Sequence, residues 1–266
     1  MDSPAEATER FRALLRLDEG DLPLDEAAFL IAAHAMQDVD VDLWLDRLDE
    51  LARRCVPAAG DATALAEVMT RDLGFRGNTI DYTDPRNSLL PEVIDRRLGI
   101  PITLSVLMIE LGRRVGIRLH GVGMPGHFLV GVDHEPGTYI DVFHDGAVLD
   151  IAGCRALFEE LYGTDMDFSA ALLAPTGSRS ILLRMLNNLE RTFESRRSPE
   201  ARWVARLRLC FPELPSRERE RTARVLASVG AFDEAASALE ELAPEVAKAR
   251  SDALLAEARA LRAQAN

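Results

Sequence analysis

Four of the five histidines of this chain, His120, His127, His134 and His144, fall in one short stretch that also holds Asp133, Asp141, Asp145 and Asp150. Imidazole beside carboxylate serves two chemistries, metal ligation and proton transfer. Ligation is signalled by donors spaced to share a face, as in HxH or HExxH, and neither spacing occurs. No metal ligand set and no cofactor is therefore expected. Proton transfer asks only for a histidine and an acid that orients it. His127 and Asp141 belong to successive strand-like segments joined by a hairpin turn, so they can face each other across the ladder. The carboxylate would orient the imidazole and raise its basicity, as the third member of a nucleophile, base and orienter set does. The pair lacks a nucleophile, and a structural bridge between strands is the plainer use of the same two residues.

The elements that must hold this pair are readable from periodicity. Ile102–Val115 (ITLSVLMIELGRRV) is apolar on almost every side, which predicts a helix enclosed by the rest of the core, closed by Gly116. Leu119–Met124, Phe128–Val132 and Tyr139–Phe143 have strand composition, and Glu135-Pro136-Gly137 between the last two is hairpin-turn chemistry. Alternation puts His127, Leu129 and Gly131 on one strand face and Phe128, Val130 and Val132 on the other. His134 and His144 fall beside turns, where exposure is expected.

Before these segments, Asp25–Arg54 carries apolar residues at helical spacing, and Ala62–Asp72 forms a further helix stopped by Gly74. The run GFRGNTIDYTDPRNSLLPEVIDRRLGIP is dense in Gly, Asn, Asp and Pro, which predicts an ordered irregular loop with Asn78 and Asn87 bonding backbone. Pro175, Gly177 and Ser178 mark a boundary, and the remainder of the chain is helical. There Leu226, Gly230, Phe232, Ala235, Leu239 and Pro244 sit where a tetratricopeptide repeat places its packing residues, although the unit is short; an ordinary helical bundle is the alternative.

Composition bounds the function classes. Apolar residues make up 47% of 266, enough to offset chain entropy by burial, and the net charge is −13. An acidic balance argues against a phosphate-tracking nucleic-acid binder or a protein docked on an anionic membrane. Only Lys248 among the 31 basic residues is lysine. The arginine-rich stretch from Arg179 to Arg221 is interleaved with Glu190, Glu194, Glu200, Glu213, Glu218 and Glu220, a pattern read as a solvated helix face. Cys55, Cys154 and Cys210 form no CxxC pair, so they are expected to be buried apolar residues, neither disulfides nor zinc ligands. The acidic start MDSPAEATERFRALL does not read as a signal peptide and no apolar run reaches membrane-spanning length, so a soluble cytoplasmic protein is expected. Trp44 and Trp203 are assigned to packing.

Three segments together carry a family resemblance. GIPITLSVLMIELGRRVGI, then GVGMPGHFLVGV, then YIDVF resemble the core of the transglutaminase-like superfamily, relatives of papain-type cysteine proteases. More narrowly, FRGN, Asp84-Pro85, Asn87-Ser88, RRLGIPITL and PGHF resemble its bacterial SirB-type branch, whose members append tetratricopeptide-like helices. The resemblance implies an α+β fold that is mainly helical, with a papain-like core, a short antiparallel sheet and a C-terminal repeat-like module. It divides the chain into an N-terminal helical subdomain (1–72), the core (73–175) and the helical module (176–266).

The resemblance also implies roles. His127 of PGHF matches the superfamily's general base and Asp141 of YIDVF its orienting acid. The nucleophilic cysteine belongs at the start of the helix, after Gly99-Ile100, and that position holds Pro101. Proline starts a helix well and attacks nothing. Thr103 and Ser105 follow on the same helix as substitutes, Ser105 displaced by about 6 Å along the axis. Arg96 and Arg97 could clamp an anion near the helix start, or pair with Asp81, Asp84 or Glu92; Gly126 would let a ligand chain approach His127, or permit a bend. The implied function is a non-catalytic module that binds a protein, peptide or small ligand in the core cleft or on the C-terminal helices. The alternatives are a hydrolase or acyl or amide transferase using His127 and Asp141 with water, Ser105 or Thr103, and a regulatory protein without direct DNA binding.

Overall fold

A computed structural model of the chain describes residues 4–36, 39–163, 166–196 and 198–265. The first three residues of the acidic start lie outside them. Twelve α-helices are present among these residues: α1 (Pro4–Leu14), α2 (Leu24–Ala32), α3 (Val41–Cys55), α4 (Ala62–Glu67), α5 (Leu90–Arg96), α6 (Pro101–Arg114), α7 (Ile151–Tyr162), α8 (Ser178–Ser195), α9 (Ala201–Arg208), α10 (Ser216–Ser228), α11 (Phe232–Leu242) and α12 (Lys248–Ala265). The strands are β1 (Arg76–Gly77), β2 (Leu98–Gly99), β3 (Leu119–Val122), β4 (Leu129–Val132), β5 (Tyr139–Asp141), β6 (Ala147–Leu149) and β7 (Pro175–Thr176). The α+β class, mainly helical with a small antiparallel sheet, is as the sequence predicts.

The chain packs as two compact units. One comprises residues 1–7 and 18–185, the other 8–17 and 186–266. The first therefore runs past the Pro175–Ser178 punctuation, because Pro175–Thr176 is itself a strand of its sheet.

In the first unit, α6 is buried from Pro101 to Met108 and again from Glu110 to Gly112, as its unbroken apolar sequence requires. It packs against α2, α3, α4 and α5 and against β3 and β4. Pro101 occupies its first turn, where the missing N–H has no partner to lose. Thr103 Oγ1 accepts from Ile100 N at 3.2 Å and donates to Asn87 O at 2.7 Å, which ties the helix start to the 78–88 loop. The parallel pair β1–β2 holds that loop's other end, with Arg76 opposite Leu98 and Gly77 opposite Gly99. Asn78 Oδ1 accepts from Asp81 N at 3.1 Å and Asn87 Nδ2 donates to Asp81 O at 2.7 Å, the backbone-bonding role expected of both asparagines, which are also joined to each other by Asn78 Nδ2 donating to Asn87 Oδ1.

The sheet order is β6-β5-β4-β3-β7, antiparallel throughout. Its three central strands are those read from sequence, each shorter by one to two residues at an end. Val122, Met124 and Leu129 bury against Cys154 and Phe158 of α7, together with Leu173.

In the second unit α9, α10, α11 and α12 pack in succession, each on the next. Leu226, Ala235 and Leu239 are buried, and Gly230 turns the chain between α10 and α11 at φ +80°. Here the interleaved charges are not all a solvated face. Glu190 and Arg208 lie in the interior, paired with each other, and Arg221 also reaches Glu190. Elsewhere the same charges link helices, as in Arg202 and Arg206 on Glu234 and Arg224 on Glu257. A cavity of about 410 Å³ opens among Arg12, Arg206, Leu226, Glu234 and Ser237. No helix among the described residues is long and apolar enough to cross a membrane.

Candidate functional site

His127 is placed by the loop before β4 rather than by the strand itself. Its N–H closes a turn on Met124 O at 3.1 Å, and Gly126 adopts φ +71° to complete it. The group that approaches Gly126 is Tyr162 of α7, whose Oη would lie 2.8 Å from a β-carbon there. Arg184 of α8 braces the same loop by donating to Gly123 O at 2.6 Å, Met124 O at 3.2 Å and His127 O at 3.0 Å, with its guanidinium over the Phe128 ring. Nothing in the sequence spacing announces Arg184.

Asp141 ends β5 and starts a tight turn. Its Oδ1 accepts from the backbone N–H of Phe143 at 3.1 Å and of His144 at 3.2 Å, a side chain capping its own turn. Its Oδ2 takes His127 Nε2 at 2.8 Å, although the β4–β5 register sets Asp141 toward Leu129 and His127 reaches it from the loop before β4. It also takes His144 Nδ1 at 2.7 Å. An ionised carboxylate only accepts, so both ring nitrogens carry the hydrogen, and the neutral tautomer of His127 keeps its lone pair on Nδ1. Burial works to raise the Asp141 carboxyl, but the hydrogen bonds from His127 and His144 outweigh it and hold the group below its ordinary value.

The pair is nearly closed to solvent, with His127 6% and Asp141 1% exposed, whereas the His144 side chain is 53% exposed. His144 thus lies beside a turn and exposed, as expected, yet its ring belongs to the site. The signal that could have found it is the Asp at the head of DVFHDG, whose side chain draws the next residues back onto itself. Phe143 sets its ring edge-on to both histidines and to Tyr82, and Gly77 leaves it room: a β-carbon there would lie 2.6 Å from the ring.

The proposed substitutes are committed elsewhere. Thr103 serves the helix start, and Ser105 Oγ donates to Phe128 O at 3.5 Å; both are fully buried. Arg96 pairs with Asp84 at 3.2 Å, which Arg86 also binds, and Arg97 lies 4.5 Å over the Phe75 ring in the left-handed region at φ +60°. Of the two roles open to Arg96, pairing with Asp84 is the one seen. All three cysteines are buried and unpaired, and burial pushes the Cys154 thiol up to about 12, far from a thiolate at neutral pH. His120 forms a separate bridge to Asp133 at 2.6 Å. Among the described residues, the group that could together hold a metal ion is His127, Asp141 and His144.

Comparison with known proteins gives the chain its family. A UPF0162 protein of Xylella fastidiosa is 35% identical over 224 residues, which cover 79% of this chain and 80% of the relative. A UPF0162 protein of Pseudomonas aeruginosa is 34% identical over 189 residues, 67% of each chain. F-box only protein 21 of Mus musculus is 33% identical over 135 residues, 47% of this chain and 21% of that protein. No solved structure matches significantly. The pattern of the transglutaminase-like superfamily matches residues 40–187, a span that takes in α3, the whole loop, α6, the loop that carries His127 and the strand that ends at Asp141. On that match and the shared length with the UPF0162 proteins, the chain belongs to the transglutaminase-like superfamily.

Proposed function

We propose that this chain is a non-catalytic member of its superfamily that binds a protein segment, a peptide or a small ligand beside His127. The observation that carries the reading is the state of the helix start. Pro101 stands where the resemblance expects the attacking cysteine, while the base and orienter remain hydrogen-bonded at 2.8 Å. The hydroxyls of Thr103 and Ser105, the nearest candidates to replace sulfur, each donate to a backbone carbonyl. An acyl-enzyme needs an activated nucleophile, and none of these groups is one. On the same reading the C-terminal helices are tetratricopeptide-like, as in the SirB-type branch, and give a partner a second surface at the cavity lined by Arg206 and Glu234. The protein is cytoplasmic and makes no direct contact with nucleic acid.

One observation favours a second reading. The tautomer that donates to Asp141 leaves His127 Nδ1 as an acceptor, the state of a general base that activates water directly in a hydrolase or an amide or acyl transferase. Assays of purified wild type and His127→Ala with amide, ester and transamidation substrates separate the two. A blank in both is the expected result. Turnover by wild type that disappears in His127→Ala overturns the binding reading.

A further inference from the structure

This chain neutralises its buried acids with arginine. Among the described residues six carboxylates are buried, Asp25, Asp84, Glu110, Asp141, Glu190 and Glu220. Asp25 and Glu110 share Arg113 and Arg114, Asp84 has Arg86 and Arg96, Glu190 has Arg208 and Arg221, and Glu220 has Arg250. Asp141 is different. Its ion-pair partners among these residues are two imidazoles, both on one oxygen. Imidazole nitrogens, unlike guanidinium groups, are themselves metal ligands, so among the six this carboxylate is the one paired with groups that can share a cation with it.

The three groups are also built to converge. The two backbone N–H groups on Oδ1 fix the carboxylate plane and leave Oδ2 to the rings. Arg184 holds the His127 loop from behind through its carbonyls. Oδ2 lies 2.8 Å from His127 Nε2 and 2.7 Å from His144 Nδ1, and the three residues each bring a ligand atom within 4.8 Å of the others. Two imidazole nitrogens and one carboxylate oxygen suit a borderline transition metal, while magnesium and calcium prefer an all-oxygen shell.

We propose that His127 Nε2, Asp141 Oδ2 and His144 Nδ1 bind one divalent transition-metal ion of the zinc class. The ion would add a positive charge against Asp141 and hold both rings on it. Three protein ligands leave a fourth position for water or an external donor, on the side where His144 meets solvent. To admit the ion, the contacts of 2.7 and 2.8 Å open by about half an ångström, toward the ligand separations of a tetrahedral site. His144 can move for this because it sits in an exposed turn. A ring ligates as neutral imidazole with its one proton on the nitrogen turned away from the ion, and any further proton leaves to solvent, so no oxidant is required. His127 Nδ1 then carries hydrogen, and the loaded protein has no free imidazole base at this position. The proposal stands apart from the binding reading, since the donors are the same whether or not a peptide is held nearby.

The test uses the full chain, stripped with a chelator and desalted, then titrated with Zn²⁺ by calorimetry and with Co²⁺ by visible absorption. One ion per chain is expected, with Co²⁺ bands of a low-coordinate nitrogen and oxygen site and no thiolate charge transfer. His144→Ala, at an exposed position, is expected to weaken binding at least about tenfold, and Asp141→Asn likewise. His120→Ala, which removes the separate bridge to Asp133, leaves it unchanged. Absence of stoichiometric binding in wild type, or equal affinity in wild type and His144→Ala, overturns the assignment.

Discussion

The rings of His127 and His144 stack 17° from parallel with centroids 5.5 Å apart, and both place a nitrogen on the same oxygen of Asp141. One buried carboxylate therefore sets the orientation of a closed histidine and an open one. Removing it must disturb both rings and the turn.

Asp141→Ala strands two backbone N–H groups and two imidazoles, and the expected loss is about 2–4 kcal/mol by chemical denaturation. Asp141→Asn keeps an acceptor and loses less. Because the folded carboxyl lies below its ordinary value, its contribution is present above about pH 4 and is lost as the pH falls through the folded value. The stability gap between wild type and Asp141→Asn is therefore expected to narrow in acid, read from denaturation midpoints at pH 7 and pH 3. A gap that widens in acid contradicts this pairing.

Pro101→Cys tests whether the helix start faces His127. Beside the imidazole a thiol there gains thiolate character and is alkylated by iodoacetamide faster than an ordinary cysteine at neutral pH. Adding His127→Ala is expected to remove the advantage. Equal rates in the two variants would show that position 101 does not face the base.

The buried network of Asp25, Glu110, Arg113 and Arg114 predicts a pH effect of opposite sign. Burial, with Asp25 adding repulsion, raises the Glu110 carboxyl to about 7. Folding then favours its protonated form, so stability declines as pH rises from about 4.5 through 7, by roughly a few kcal/mol at most. Glu110→Gln keeps an acceptor for Arg113 Nε and Arg114 Nη1 and is expected to flatten that decline in thermal melts across this range.

Gly77→Ala probes the packing under the turn. Its β-carbon would meet the Phe143 ring and carbonyl at 2.6 Å, backbone included, so something must move. A loss of about 1–3 kcal/mol is expected, together with shifted His127 and His144 ring resonances. Wild-type stability with unmoved resonances would show that Phe143 does not rest on Gly77.

Much was decided by the chain's local chemistry. The unbroken apolar run of α6, proline at its start, and the alternation and turn residues of β4 and β5 settle those elements, because each depends on neighbours within a few residues, and the short hairpin between the two strands brings His127 and Asp141 near each other. The burial of the three cysteines and the backbone-bonding asparagines were legible for the same reason. Tertiary structure decided the rest. The rings of His144 and His127 meet only because Asp141 holds its own turn against the loop before β4. Glu190 and Arg208 are interior because helices distant in sequence close over them, though their spacing fits a solvated face. Arg184 reaches the His127 loop across some sixty residues, and Pro175–Thr176 becomes an edge strand only once β3 is there to pair with it. Local pattern fixes what a segment prefers to be; which charges meet, and which are sealed from water, is set by the packing of segments far apart in the chain.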